Sequence, residues 1–241
     1  TSTASSIWAV LTPTAPRGVS SGSVARSAAA RVWSTSLART AGESQGFALP
    51  QAGTLDVHDY VRFATEAVRQ RGPEAAAAAH AQFMREVIEP AIQPQACDLL
   101  RQHQAAGDEV LIITATNEFV TRPIAQALGV QQLLAMQLAR DAQGWYTGEI
   151  DGIPTMREGK VRRMEQWLAE RRLSWGDVES TFYSDSMNDV PLLEKVNHPV
   201  ATNPDARLRA LAHERGWRIL DLFSDGTNQN AQPATAQDAA P

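Results

Sequence analysis

The chain has 241 residues, 43% of them hydrophobic, enough to bury a full core as one large domain or as a core with a smaller satellite. Its 22 Lys and Arg against 27 Asp and Glu leave a net charge of −5, which excludes the basic stripe of a nucleic-acid-binding surface. The single Cys97 cannot form an internal disulfide, and His58, His80, His103, His198 and His213 do not have zinc-ligand spacing. With no apolar run of about 18 residues to span a membrane, a soluble protein of a reducing, cytoplasmic compartment is expected.

Residues 1–50 differ in composition from everything after them: rich in Ser, Thr, Ala and Arg, without clear hydrophobic periodicity, and with Glu43 the only acidic residue. Gly18-Val19-Ser20-Ser21-Gly22 fits the G-x-S-x-G pattern of serine hydrolases, but that motif needs an apolar strand before it. Here Pro13 and Pro16 precede it, so Ser20 is discounted. From Leu55 the spacing turns helical, with helices over 55–64, 75–92 and 96–104, a small helical module within 51–106.

Gly107-Asp108 ends the last of these helices, and the continuous apolar run over 109–114 reads as a strand buried on both faces. A helix over 118–128, a strand over 132–138 and a Gly-punctuated hairpin around 145–150 follow. The remaining pattern is helix 159–171, strand 180–183, helix 190–196, strand 198–201, helix 205–215 and strand 217–220. Such alternation predicts an α/β protein with a doubly wound, Rossmann-like parallel sheet over 107–222, its ligands outside the carboxyl ends of the strands. Residues 223–241 read as a disordered polar tail.

Three pieces of chemistry sit at or just beyond these strand ends. Phe182-Tyr183-Ser184-Asp185-Ser186-Met187-Asn188-Asp189 places two carboxylates four residues apart on a strand-to-helix turn, which suits Mg²⁺, a hard cation that takes one or two carboxylates plus substrate phosphate. Thr114, with Ala115 and Asn117 after it, offers a hydroxyl and backbone N–H groups to a phosphoryl oxygen. Lys160 opens a helix and can neutralise phosphoryl charge. Taken singly, each has a plainer reading: a solvated turn, a helix-capping Thr and a solvated Lys. Their order and spacing carry more weight than any one of them.

That ordered set resembles motifs two, three and four of the haloacid dehalogenase (HAD) superfamily, in its phosphoserine phosphatase-like branch, over about residues 51–222. The resemblance makes Thr114 the motif-two hydroxyl and Lys160 the motif-three lysine. It makes Asp185 and Asp189 the acidic motif four, Asp185 being the more direct metal ligand. It assigns Thr114, Ala115, Asn117, Lys160 and Asn188 to phosphate and substrate, Mg²⁺ to Asp185 and Asp189, and the helices before Thr114 to an inserted cap. The implied activity is hydrolysis of a small phosphorylated metabolite, such as phosphoserine or histidinol phosphate, through an aspartyl-phosphate intermediate.

The family's first motif, an apolar strand ending Asp-x-Asp-x-Thr, is missing. Leu55-Asp56-Val57-His58-Asp59 has the wrong spacing and lies at the start of the cap. Without the nucleophile there is no covalent step, so impaired catalysis is expected. Three explanations stand for residues 1–50: an Arg- and Ser-rich targeting segment, a relative that has lost catalysis and kept a ligand-binding or interaction role, or a segment read out of frame. The last is favoured, because the codons GAC-CTC-GAC for Asp-Leu-Asp, read one base later, give Thr-Ser-Thr, and the chain begins Thr1-Ser2-Thr3. A genuine segment must supply a replacement strand or leave a sheet edge uncovered, and poor order is expected there.

Overall fold

The computed structural model describes residues 56–223 and the backbone of residues 7–13. The sequence readings for the rest of 1–55 and for 224–241, the polar tail among them, fall outside the described residues.

Apolar, β-branched runs make the strands β1 (Ile7–Pro13), β2 (Glu109–Asn117), β3 (Gln132–Met136), β4 (Leu138–Arg140), β5 (Tyr146–Ile150), β6 (Val178–Ser184), β7 (His198–Thr202) and β8 (Arg218–Leu220). Six of them form one sheet in the order β3-β2-β1-β6-β7-β8, while β4 and β5 pair as an antiparallel hairpin. The pairs β2/β3, β6/β7 and β7/β8 are parallel, as the strand-helix alternation predicts. β1 is antiparallel to both its neighbours, with Trp8 opposite Ile112 and Ile7 opposite Ser184. The place left by the missing motif is therefore an internal slot, not an uncovered edge. A short apolar strand fills it in reverse. The sheet needs a strand there because the inner backbone groups of β2 and β6 would otherwise be buried unpaired.

Helices cover both faces. On one side α5 (Glu158–Glu170), α6 (Val190–Leu193) and α7 (Ala206–Arg215) bury Met164, Trp167, Leu168, Leu192, Leu193, Leu208 and Ala212 against Leu111, Ile113, Phe182 and Ala201. On the other, α3 (Pro94–Ala106) and α4 (Glu118–Ala127) pack Leu100, Ala125 and Leu128 on Val110, Ile112, Tyr183 and Val200. β2 is buried at nearly every position, which its continuous apolar run requires. Each such Leu, Ile or Phe contributes roughly 1.5–3 kcal/mol on leaving water.

The helical module begins with α1 (Val57–Phe83), capped by the Asp56 carboxylate on the His58 N–H. Gly72 (φ 73°, ψ 171°) breaks α1 into two arms, a conformation open to glycine, and Pro73 restarts the helix at its first turn. The two arms match the helices expected over 55–64 and 75–92. The second is interrupted by a π turn over Met84–Ile88, before α2 (Glu89–Ala91). Val61, Val68, Ala76 and Phe83 of α1 bury with Tyr146, Met136 and Val120. Arg62 reaches Glu149 of β5 with two nitrogens, at 2.8 and 3.2 Å, and Arg69 lies against Gly148, where a Cβ would come within 2.7 Å of Arg69 Nε. The Arg62–Glu149 pair is half exposed and screened by water, so it mainly fixes orientation.

His80 on the second arm of α1 is buried, its Nε2 3.0 Å from the Val120 carbonyl, so that nitrogen carries the proton. Burial holds its pKa below the ordinary histidine value, the Val120 hydrogen bond opposing. The unfolded chain therefore binds more protons than the fold once pH drops below about 6.5, and stability present above that pH is lost as pH falls. The melting temperature should fall between pH 7 and pH 5, and His80→Phe should flatten that dependence. Identical slopes for the two proteins would refute the assignment.

Candidate active site

The carboxyl ends of β2 and β6 lie on the same edge of the sheet, and the turn before α5 closes against them. β2 does not stop at Thr114 as its apolar run suggests; it continues to Asn117 with a shift in register after Ile113. Thr114 is buried, its Oγ1 accepting the Thr116 N–H at 3.1 Å, and its carbonyl accepts the Thr155 hydroxyl at 2.7 Å. Ala115 is half-buried. Asn117 caps α4, its Oδ1 accepting the Val120 N–H at 3.2 Å, which leaves its amide nitrogen for a ligand. Tyr60, Ala64 and Thr65 of the first arm of α1 face Ala115, Thr116 and Asn117 across a small cavity.

Thr155 ties the β2 end to the segment that presents Lys160. Arg157 there has φ 50° and ψ −123°, a conformation that is strained for a non-glycine residue. Gly159 touches the Pro154 carbonyl so closely that a Cβ would lie 1.8 Å from its oxygen. This approach seats Lys160 in the protein, 1% exposed, with Nζ donating to Asp189 Oδ1 at 2.5 Å. Burial pushes the Lys160 pKa below its ordinary value; the charges of Asp189 and Asp185 and the Asp189 hydrogen bond oppose that.

Asp189 is buried too, and its other oxygen accepts the Ser184 hydroxyl at 2.7 Å. Ser184 Oγ in turn accepts the Ser186 N–H at 3.1 Å, and Ser186 caps the short 3₁₀ turn over Met187–Asp189. Both Asp189 oxygens are thus engaged inside the protein. Asp185 is half-buried and Asn188 exposed. The four-residue spacing therefore separates two environments: Asp189 is buried on Lys160, and Asp185 is half-buried.

The three sequence pieces do converge, through Thr114–Thr155, Pro154–Gly159, Lys160–Asp189 and Asp189–Ser184. Sequence reasoning passed over Thr116, Thr155, Gly159 and Ser184, although Gly159 beside Lys160 and Ser184 at a strand end were visible. It also passed over Arg163, one turn beyond Lys160 on α5, which is 8% exposed, its Nε and Nη1 without a hydrogen-bond partner among the described residues. Among the described residues no group of three or more His, Cys, Asp or Glu could hold a metal ion by itself. With Asp189 engaged, Mg²⁺ would rest on Asp185, water and phosphate oxygens, which fits that ion's habit of keeping part of its water shell.

The model of the haloacid dehalogenase-like hydrolase family matches residues 19–194. A histidinol-phosphatase of Neisseria meningitidis serogroup C is 42% identical over 173 residues, 71% of this chain and 78% of that protein. The crystal structure of a protein of unknown function from Bordetella pertussis Tohama I is 44% identical, with a TM-score of 0.75 over 81% of this chain and 92% of that one. A probable phosphoserine phosphatase from Vibrio cholerae shares the fold alone, at 14% identity and a TM-score of 0.55 over 77% of this chain and 56% of that one. The chain spans about half the length of several further curated relatives. Family match, close relatives and the Thr114–Lys160–Asp185 order agree, and the chain belongs to the haloacid dehalogenase-like hydrolases.

Proposed function

We propose that the edge formed by Thr114, Lys160 and Asp185 is a Mg²⁺-assisted phosphomonoester site for a small phosphorylated metabolite, of the phosphoserine or histidinol phosphate kind, whose covalent step is impaired in this chain. The observation that carries the site is the buried Lys160, fixed by Asp189 beside the end of β2. A lysine so placed would otherwise have no reason to leave water. The name of the Neisseria relative supports the substrate class.

Each residue then has a task. Lys160 neutralises phosphoryl charge, and the Thr114 hydroxyl and Ala115 N–H donate to phosphoryl oxygens. Asn117 offers its remaining amide nitrogen, and Asn188, exposed at the mouth, meets the organic part of the ester. Asp185 would hold Mg²⁺ jointly with the phosphate, the ion supplying charge neutralisation and orientation. Impairment rests on the residues ahead of the cap. Glu43 is the only acidic residue among 1–50, and the strand in the central slot, Ile7–Pro13, contains no carboxylate. The same observation favours a second reading, a non-catalytic protein that binds phosphate esters on this fold.

Hydrolysis of phosphoserine and histidinol phosphate is expected to run on the order of 10⁴-fold or more below that of the Neisseria relative, since loss of a nucleophile has effects of that size. Calorimetric titration with inorganic phosphate and Mg²⁺ should still give heat, lost in Asp185→Asn. Turnover equal to the relative's would sink the impairment, and hydrolysis or binding untouched by Asp185→Asn would sink the site. Asp189→Ala strands a buried cation and should cost about 3–5 kcal/mol in urea unfolding, whereas Lys160→Met with Asp189→Leu should recover most of that loss. Gly159→Ala forces the turn away from Pro154, so a loss of about 1–3 kcal/mol together with weaker phosphate binding is expected. An unchanged melt and titration would contradict the role given to that contact.

A further inference from the structure

We propose a second small-molecule site, in the cleft between the second arm of α1 and α4, that takes a ring-bearing carboxylate or phosphate. The cleft has a volume of about 660 Å³, within the usual range for ligand pockets. It opens between the helical module and the sheet domain, walled by α1, the π turn, α4 and the β4–β5 hairpin. None of Thr114, Ala115, Asn117, Lys160, Asp185, Asn188 or Asp189 lines it.

Its base is aromatic. Phe119 meets His80, Tyr146 and Trp145 edge-on, at ring separations of 5.3, 5.8 and 6.1 Å, and three of these four rings line the cavity. Its rim is cationic: Arg85, Arg122 and Arg140 line it against Glu89 and Glu118. Arg140 is already committed, stacked over Tyr146 at 4.5 Å and bonded to Glu118 at 3.2 Å and to the Tyr146 hydroxyl at 3.0 Å. Among the described residues Arg85 and Arg122 form no hydrogen bond or ion pair, so two guanidinium groups face the cleft with a single carboxylate, Glu89, to balance them. A planar fork of donors above an aromatic base suits an anionic group attached to a ring.

A second observation points the same way. Arg85 stands on the π turn Met84–Ile88, and such insertions cost helix regularity and occur frequently at functional sites. The irregular turn places Met84 and Arg85 together on the cleft wall. An occupant would touch α4, which starts at Glu118, the residue after Asn117, and so would lie just behind the phosphate loop.

The inference rests on the cleft and the fold, not on the catalytic reading, and its test is independent of turnover. The full chain is titrated with the fluorescent aromatic anion anilinonaphthalene sulfonate. Saturable binding is expected, weakened roughly tenfold in Arg85→Ala with Arg122→Ala, the loss of charge-assisted hydrogen bonds being of that order. Both arginines are exposed, so the fold should survive, which a thermal melt confirms. Asp185→Asn should leave the probe's affinity unchanged. Displacement by benzoate assigns a carboxylate occupant, and displacement by phenyl phosphate but not benzoate assigns a phosphate. Equal affinity in the double arginine variant, or equal weakening by Asp185→Asn, would overturn the proposal.

Discussion

The buried ion pair between Lys160 and Asp189 is the constraint around which the candidate site is arranged. A lysine brought this far from water is costly unless a carboxylate meets it at close range and the remaining lone pairs are satisfied. The fold meets both conditions, with Asp189 on one side of Lys160 and Ser184 on the other side of Asp189. Gly159 is the steric condition for the same contact, because only a residue without a Cβ lets α5 start so close to Pro154. With Lys160 on one oxygen and Ser184 on the other, Asp189 is held inside the protein, while Asp185, four residues earlier, is half-buried.

The helical module and the hairpin form one body beside that edge. Phe83, Val61 and Tyr146 share a core, while Arg62–Glu149 and the approach of Arg69 to Gly148 align the two elements. The hairpin leads directly into Pro154, Thr155 and Lys160. The segment that presents the lysine therefore leaves a hairpin anchored to the helical module, and the positions of that module and of the lysine are joined through few residues.

Much of this was legible in the sequence. The apolar run before Thr114 gave β2 because a strand buried on both faces has no polar positions, and the separate helical patterns over 55–64 and 75–92 gave the two arms of α1, though Gly72-Pro73, where the chain breaks between them, was passed over. Thr114, Lys160 and Asp185 stood out by order and spacing. The role of Asp189 did not, since its partner lies 29 residues away and only the fold brings them together. The π turn at Met84–Ile88 has no sequence signature, being a local change of hydrogen-bond partner within an ordinary helical pattern. β1 was missed because Ile7–Pro13 is a short apolar run inside Ser- and Arg-rich sequence, and its direction is set by pairing with β2 and β6, which no local pattern encodes.

The direction of β1 also limits what can be grafted onto that strand. A strand slot can be filled in either direction at similar cost in backbone hydrogen bonds, but direction decides which end of the strand meets Asp185. Ile7 lies opposite Ser184 at the ligand edge, and Pro13 lies opposite Val178 at the far edge. At about 3.4 Å per residue, a carboxylate grafted where β1 ends would sit roughly 20 Å from the end that meets Ser184. Point substitution at the end of this strand cannot bring a carboxylate beside Asp185; the segment would have to turn around.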